Sequence, residues 1–305
     1  MARAYASTIL NAPIETVWAT IRDFNGLPSW HPGIARSEIE DGLDPDVVGC
    51  IRRFWLQDGT MVRERLLSLD DRMTCFTYNF ETPAFPVTNY LARVRLMPVT
   101  ATDQTFAEWE ANFDEAPQDA DKYVDIIANG VFQGGWNALK SALVGRAKPE
   151  GALRWQGFPP NKVWCSTTMA APVDAVWNMI RDFAGMGGWH DAITEMRMLG
   201  GARPDKVSGV RDFMFGDGHL NENLLHLDDA ERSFSYYISK SGLPWMHYIS
   251  GPRLWPVTDG NTTFGSWTGD WVAAPNDDVW LIPLATRDVY LKAFDTVAAR
   301  LATQA

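Results

Sequence analysis

The chain is 305 residues long and has only three cysteines, Cys50, Cys75 and Cys165. They are odd in number and far apart, which excludes a disulfide framework and a zinc ribbon. No apolar run approaches the ~18 residues that a membrane-spanning helix needs. The segment MARAYASTILNAPIETVW lacks the sustained apolar stretch of a secretory signal, so a cytoplasmic location is the expectation. Basic residues are outnumbered, 27 Lys+Arg against 38 Asp+Glu, for a net charge of −11. That field repels polyanions and argues against nucleic acid and anionic membrane surfaces as partners. A glycine-rich phosphate loop, a dinucleotide fingerprint and a nucleophile elbow are all missing. No cofactor and no metal are expected. The 14 Trp and 15 Phe, by contrast, exceed what a plain core needs and suggest an aromatic-lined pocket.

The chain repeats itself. Asn11–Ile34 reads NAPIETVWATIRDFNGLPSWHPGI, and Ala170–Ile193 reads AAPVDAVWNMIRDFAGMGGWHDAI. At an offset of 159, 12 of these 24 positions are identical. Asp58-Gly59 answers Asp217-Gly218 at the same offset. At an offset of 158, Leu66-Leu67, Asp70-Asp71, Arg95, Trp109 and Pro117 answer Leu224-Leu225, Asp228-Asp229, Arg253, Trp267 and Pro275. Two copies of this length mean a duplicated domain, not a solenoid. The expected division is domain 1 at 1–145, a proline-bearing linker at 146–160, and domain 2 at 161–305.

Each copy reads alike. A short strand ends at Ala-Pro, which opens a helix with Val17, Trp18 and Ile21 on one face. An irregular stretch then carries Trp30-His31, repeated as Trp189-His190. Strands follow at about 48–57, 60–70, 73–81, 86–97 and 104–114, with Asp58-Gly59 as a hairpin signal. A long helix closes each copy, at about 119–144 and 276–302. Pro283 should end or kink a turn of the second. Gly130, Gly134 and Gly135 in the first cost helix stability, and the expected reason is room for a ligand. A sheet of this kind covers its apolar face with its helix, which gives an α+β fold.

This order, with APIETVW…WHPGI, GCIRRFWLQDG…ERLLSLDD, FPVTNY and Trp109 in one copy and APVDAVW…WHDAI, GVRDFMFGDG…ENLLHLDD, LPWMHY and Trp267 in the other, resembles the helix-grip superfamily. That superfamily holds START lipid-transfer domains, the birch-pollen allergen and the polyketide cyclase/dehydrase-like (SRPBCC) proteins. The resemblance implies a curved antiparallel sheet wrapped around the last helix. It also implies a cavity between them for a hydrophobic or aromatic small molecule, which some members transport and others cyclise, dehydrate or cleave without a cofactor.

Strand parity indicates which side chains face that cavity. Tyr78 shares a face with Phe76 and Phe80, and Tyr236 with Phe234 and Ile238. Tyr90 runs with Ala92, Val94 and Leu96, and Tyr248 with Met246 and Leu254. Trp109 and Trp267 run with small and aromatic neighbours. Glu64 lies with Val62 and Leu66, Glu222 with Leu220 and Leu224, Arg52 with Phe54, and Arg211 with Phe213. Pairing 216 with 219 sets Phe213 opposite Glu222, so Arg211 becomes its diagonal neighbour. In domain 1, a bulge before Glu64 would restore the same facing.

Each of these groups has a plain and a chemical reading. The Arg–Glu pairs are internal salt bridges that hold register, or Glu64 and Glu222 move a proton. The tyrosines are core, or Tyr78 and Tyr236 steady an oxyanion beside Tyr90 and Tyr248. Trp109 and Trp267 are cavity wall. His31 and His190 cap a backbone group, or shuttle protons near neutral pH. His226 shares parity with Glu222 and joins the ligand-contacting set, and His190, His226 and Glu222 are the one conceivable metal set. The function expected is cofactor-free acid–base chemistry on an aromatic or polyketide-like molecule, of cyclase, dehydratase or C–C lyase type. The alternative is a non-catalytic carrier for a hydrophobic small molecule or lipid. Either suits a monomer or a homodimer.

Overall fold

The computed structural model describes residues 1–146 and 161–303, and the chain divides into two compact units. The linker expected at 146–160 lies outside the described residues except for Arg146.

In the first unit, β1 (Ala2–Leu10) is followed by α1 (Ile14–Ile21), β2 (Ile34–Ile39), β3 (Ile51–Leu56), β4 (Met61–Asp70), β5 (Cys75–Thr82), β6 (Thr88–Val99) and β7 (Gln104–Asp114). The closing helix runs through α2 (Lys122–Asp125), a π-helical segment (Ile126–Gln133) and α3 (Gly134–Leu143). The antiparallel sheet has the order β1-β7-β6-β5-β4-β3-β2, a meander whose last strand pairs with the first. The second unit repeats it. It has β8 (Val163–Met169), α4 (Val173–Ile180), α5 (Met186–Trp189), β9 (Ile193–Met198), β10 (Val210–Phe215), β11 (Gly218–Asp228), β12 (Ser233–Lys240), β13 (Met246–Val257) and β14 (Thr262–Val272). It closes with α6 (Pro275–Pro283), a π-helical segment (Leu284–Leu291) and α7 (Lys292–Ala302).

The repeated letters have local causes. Pro13 stands just before α1, and its carbonyl accepts the Thr16 and Val17 N–H groups. The helix then buries Val17, Trp18 and Ile21. Trp18 Nε1 donates to Asp71 at 2.8 Å, and Arg22 grips the same carboxylate at 2.6 and 2.9 Å. Trp177, Arg181 and Asp229 do the same at 2.9, 2.6 and 2.8 Å. The matching Asp-Asp pairs are therefore where the first helix is tied to the end of a strand.

Three expectations are corrected. The irregular stretch after the first helix contains an edge strand, β2 or β9, because sequences such as IARSEI alternate too weakly to signal one. The last helix is not uniformly α. Pro283 has no N–H for the i→i−4 ladder, and the wider π turns begin at the next residue. The first unit has π turns at the matching place with Gly130 inside them. Gly135 makes no room for a ligand, since a Cβ there would lie 2.9 Å from the Trp109 ring and 3.7 Å from His31. A Cβ on Gly130, by contrast, would meet open space.

Candidate active site

Each unit encloses a cavity between the sheet and the π-helical part of its last helix. The volumes are about 430 Å³ in the first unit and about 440 Å³ in the second, within the range of ligand-sized pockets. Ile127, Gly130 and Val131 form the first roof; Leu284, Val289 and Ala293 form the second. Both are lined mainly by apolar side chains, and the same polar set interrupts them.

The ion pair lies in the sheet. Arg52 stands directly opposite Glu64, and Arg211 directly opposite Glu222, not diagonally as expected. The hairpin of the second unit closes with Phe215 opposite Gly218, leaving a two-residue loop whose first residue, Gly216, has the positive φ such turns demand. The extra residue of the first unit lies in its turn, where Leu56 bonds back to Thr60 and Gly59 takes a positive φ. No bulge is needed, and β3 and β4 pair without a register shift.

All four charged residues are 3–4% exposed. Arg52 Nε and Nη2 both meet Glu64 Oε2, at 2.6 and 2.5 Å, and Nη1 donates to the Phe24 carbonyl at 2.8 Å. Arg211 meets Glu222 Oε2 at the same two distances and the Phe183 carbonyl at 3.0 Å. Each guanidinium also lies 3.9 Å from the ring centre of that phenylalanine. Glu64 Oε1 and Glu222 Oε1 receive no hydrogen bond among the described residues. Burial pushes both carboxyls above the usual range, with the arginine charge opposing it.

The histidines serve the loop and line the cavity at once. Gly33 N–H donates to His31 Nδ1 at 3.1 Å, and Ala192 N–H to His190 Nδ1 at 3.3 Å. With Nδ1 accepting, the neutral ring carries its proton on Nε2. Burial holds both imidazoles below their ordinary value, so they are neutral donors at pH 7.

The phenols complete the wall. Trp109 Nε1 donates to the Tyr78 hydroxyl at 2.9 Å, and the Tyr78 and Tyr90 rings lie with their centres 6.2 Å apart. In the second unit Trp267 Nε1 donates instead to Ser250 Oγ at 2.9 Å. Ser250 contacts Tyr290 at 3.0 Å and the Thr268 carbonyl at 2.7 Å, and Tyr290 bonds Tyr248. Burial pushes Tyr78, Tyr90, Tyr236, Tyr248 and Tyr290 above the ordinary phenol value, so all stay protonated near neutral pH.

Glu64, His31, Tyr78, Arg52, Tyr90 and Trp109 thus line one cavity, and Glu222, His190, Tyr236, Arg211, Tyr248 and Trp267 line the other. His226 does not join them. The register shifts between Leu224 and His226, and the extra residue turns the histidine outward to solvent. The conceivable metal set therefore does not assemble. Met246, expected beside Tyr248, is exposed for the same kind of reason: the ladder shifts between Met246 and Ile249, and His247 has a positive φ. Parity reasoning also passed over Ser250 and Tyr290. Ser250 shares parity with Tyr248, and subtracting the two repeats would have shown both as hydroxyls placed where the first unit has Ala92 and Phe132.

A family model described as polyketide cyclase / dehydrase and lipid transport matches residues 1–144 and again 162–304. The chain belongs to this family. No curated protein matches it. Among solved structures, a Thermobifida fusca protein is 31% identical, with 47% of this chain and 95% of that one covered at a TM-score of 0.43. XoxI of Bacillus cereus is 29% identical, with 48% and 97% covered and a TM-score of 0.43. BexL, a di-domain ARO/CYC of the BE-7585A biosynthetic pathway, is 12% identical, with 98% of each chain covered and a TM-score of 0.41. The family joins enzymes and carriers under one fold, so the choice between them rests on the residues of the cavity.

Proposed function

We propose that the protein is a cofactor-free acid–base catalyst acting on an aromatic or polyketide-like hydrophobic molecule, by cyclisation, dehydration or C–C cleavage. One observation carries this reading. In both cavities a buried carboxylate is clamped through a single oxygen, which leaves Oε1 of Glu64 or Glu222 without a protein partner in an apolar chamber. A carboxyl pushed up by burial, yet held near its charged form by arginine, suits proton abstraction next to a carbonyl and return of that proton to a leaving hydroxyl. The oxygen that gains charge in such a step needs donors. Protonated tyrosines and the Nε2–H of His31 or His190 are the donors at hand. Arg52 and Arg211 hold the carboxylates; the aromatic walls hold the substrate and exclude water.

The second reading is a carrier that releases its ligand unchanged, and the predominantly apolar lining favours it. One experiment separates the two. The small molecules that leave with the purified protein are identified by mass spectrometry, before and after incubation, for the native chain and for Glu64→Gln with Glu222→Gln. Catalysis predicts a mass or isomer change that the doubly substituted chain loses by about 100-fold or more. Turnover that survives both substitutions removes the carboxylates from the mechanism, and an unchanged ligand in every sample favours the carrier.

A further inference from the structure

Each cavity holds one cation and the anion that cancels it. Among the described residues of the first lining, the groups that can carry charge near neutral pH are His31, Arg52, Asp58 and Glu64. In the second they are His190, Arg211, Asp217 and Glu222. Each guanidinium is committed to its glutamate, with Nε and Nη2 on one carboxylate oxygen and Nη1 on a backbone carbonyl. Both imidazoles are held neutral by burial. The remaining member, Asp58 or Asp217, is exposed in the hairpin turn, so it adds a negative charge where the cavity meets solvent. Lys292 acts on His190 from outside the lining, but Asp191 acts on it more strongly and with the opposite sign.

This balance decides which molecules can enter. A carboxylate or phosphate carried inside would lose its water and meet no uncommitted cation, and burying an unpaired charge is expensive. Held at the edge instead, it would face Asp58 or Asp217. An uncharged molecule meets neither obstacle. Proton transfer preserves the balance. When Oε1 of Glu64 takes a hydrogen, the bond to it breaks on the ligand and forms on the carboxyl. The ligand then carries the negative charge that the glutamate gives up, and Arg52 faces one anion before and after. The chamber has counter-charge for a single anion, and at rest that anion is the glutamate.

We infer that Glu64 and Glu222 set the charge of the ligand. By cancelling the one cation of its lining, each restricts its cavity to uncharged molecules, such as ketones, phenols and amides that still hold their protons, and excludes carboxylic acids and phosphorylated compounds. The inference rests on the reading that the cavities hold small hydrophobic molecules. It does not need turnover, since a carrier would show the same exclusion. It also makes a further statement about the arginines: released from its glutamate, each would turn an acid-excluding cavity into an acid-binding one.

The test uses 2-naphthamide and 2-naphthoate, which share a skeleton and nearly a shape and differ by one charge, titrated calorimetrically into the full chain at pH 7. The amide is expected to bind, and the acid to bind at least about tenfold more weakly. Glu64→Gln, which leaves Arg52 uncancelled, should create one site for naphthoate at least about tenfold tighter than in the native chain, and Glu222→Gln should create the other. Arg52→Met added to Glu64→Gln should abolish the new site, which separates the guanidinium from the glutamine amide. Thermal melts report folding, and naphthoate should raise the melting temperature of Glu64→Gln but not of the native chain. Asp58→Asn with Asp217→Asn, at exposed turns, should strengthen naphthoate about two- to threefold at low salt and lose that gain at high salt. Naphthoate binding the native chain as tightly as the amide, or no gain on either Glu→Gln substitution, overturns the inference. If neither compound binds any of these chains, the hydrophobic-ligand reading itself falls, and this inference with it.

Discussion

Replacing Arg52 with Met tests whether the cavity wall is as dry as its geometry implies. The methionine keeps an unbranched apolar stem and removes every donor. Glu64 loses contacts of 2.6 and 2.5 Å on Oε2, and the Phe24 carbonyl loses one of 2.8 Å. Both partners of the pair are 4% exposed, so water cannot replace the guanidinium. Removing one member of such a pair costs about 3–5 kcal/mol. The carboxyl has one way to limit that cost, which is to bind a proton. Its folded value is already raised by burial, and losing the arginine raises it further. A raised acid binds its proton more tightly folded than unfolded. The folded state is therefore favoured at low pH, and that advantage is lost as pH rises through the folded value. The variant should thus be most handicapped near pH 7 and recover as pH falls toward about 5. Arg52→Met with Glu64→Gln should be more stable near pH 7 than Arg52→Met alone, because no charge remains to be buried. Urea unfolding of the full chain, followed by tryptophan fluorescence, reads these values. Arg211→Met identifies the transition that belongs to the second unit, since a chain of two units need not unfold in one step. A cost below about 1 kcal/mol, equal at both pH values, would mean the pair behaves as a solvated surface bridge, and the argument for a perturbed carboxylate would be refuted.

Gly269→Ala should destabilise the second unit by about 1–3 kcal/mol, since its methyl meets the Tyr290 hydroxyl. Adding Tyr290→Phe, which recreates the Ala111–Phe132 combination, should recover most of the loss in a thermal melt; no recovery would mean that the hydroxyl is not what fills the space. His31 and His190 should titrate below 6.5 by NMR of their ring nitrogens, because burial disfavours the cation. A base lowered by folding contributes stability above its unfolded value and withdraws it as pH falls, so each ring also adds acid sensitivity. A midpoint above 6.5 would show that the ring is not desolvated.

Much of this arrangement was legible in the letters because a β-strand has a side-chain period of two. Parity alone placed Glu64, Tyr78, Tyr90 and Trp109 on one surface, and the repeat supplied an independent copy of the argument. It failed where the period was interrupted. His226 lies one residue past a register shift, and Met246 lies beyond another; nothing in LLHLDD or WMHY announces an extra residue. The hairpin turns were misjudged by one position, which changed Arg211 from a diagonal to a direct partner of Glu222. The edge strands β2 and β9 were invisible because their alternation is weak. The last helices were readable as helices, but π turns have no period distinguishable over eight residues. Tyr290 escaped because it acts from the helix, behind the wall that parity describes.

The two units differ in roof, rear wall and turn, yet they hold the arginine and glutamate in the same geometry. A pair kept only to fix register would gain most from a fork, one N–H to each carboxylate oxygen. Here both N–H groups converge on Oε2, and the guanidinium's third contact goes to a backbone carbonyl instead of to Oε1. Leaving an oxygen unpaired in an apolar wall costs stability. The same cost is borne in both units, although the second adds the hydroxyls of Ser250 and Tyr290 where the first has Ala92 and Phe132. A basic oxygen aimed at whatever enters the cavity accounts for that pattern; a register lock does not.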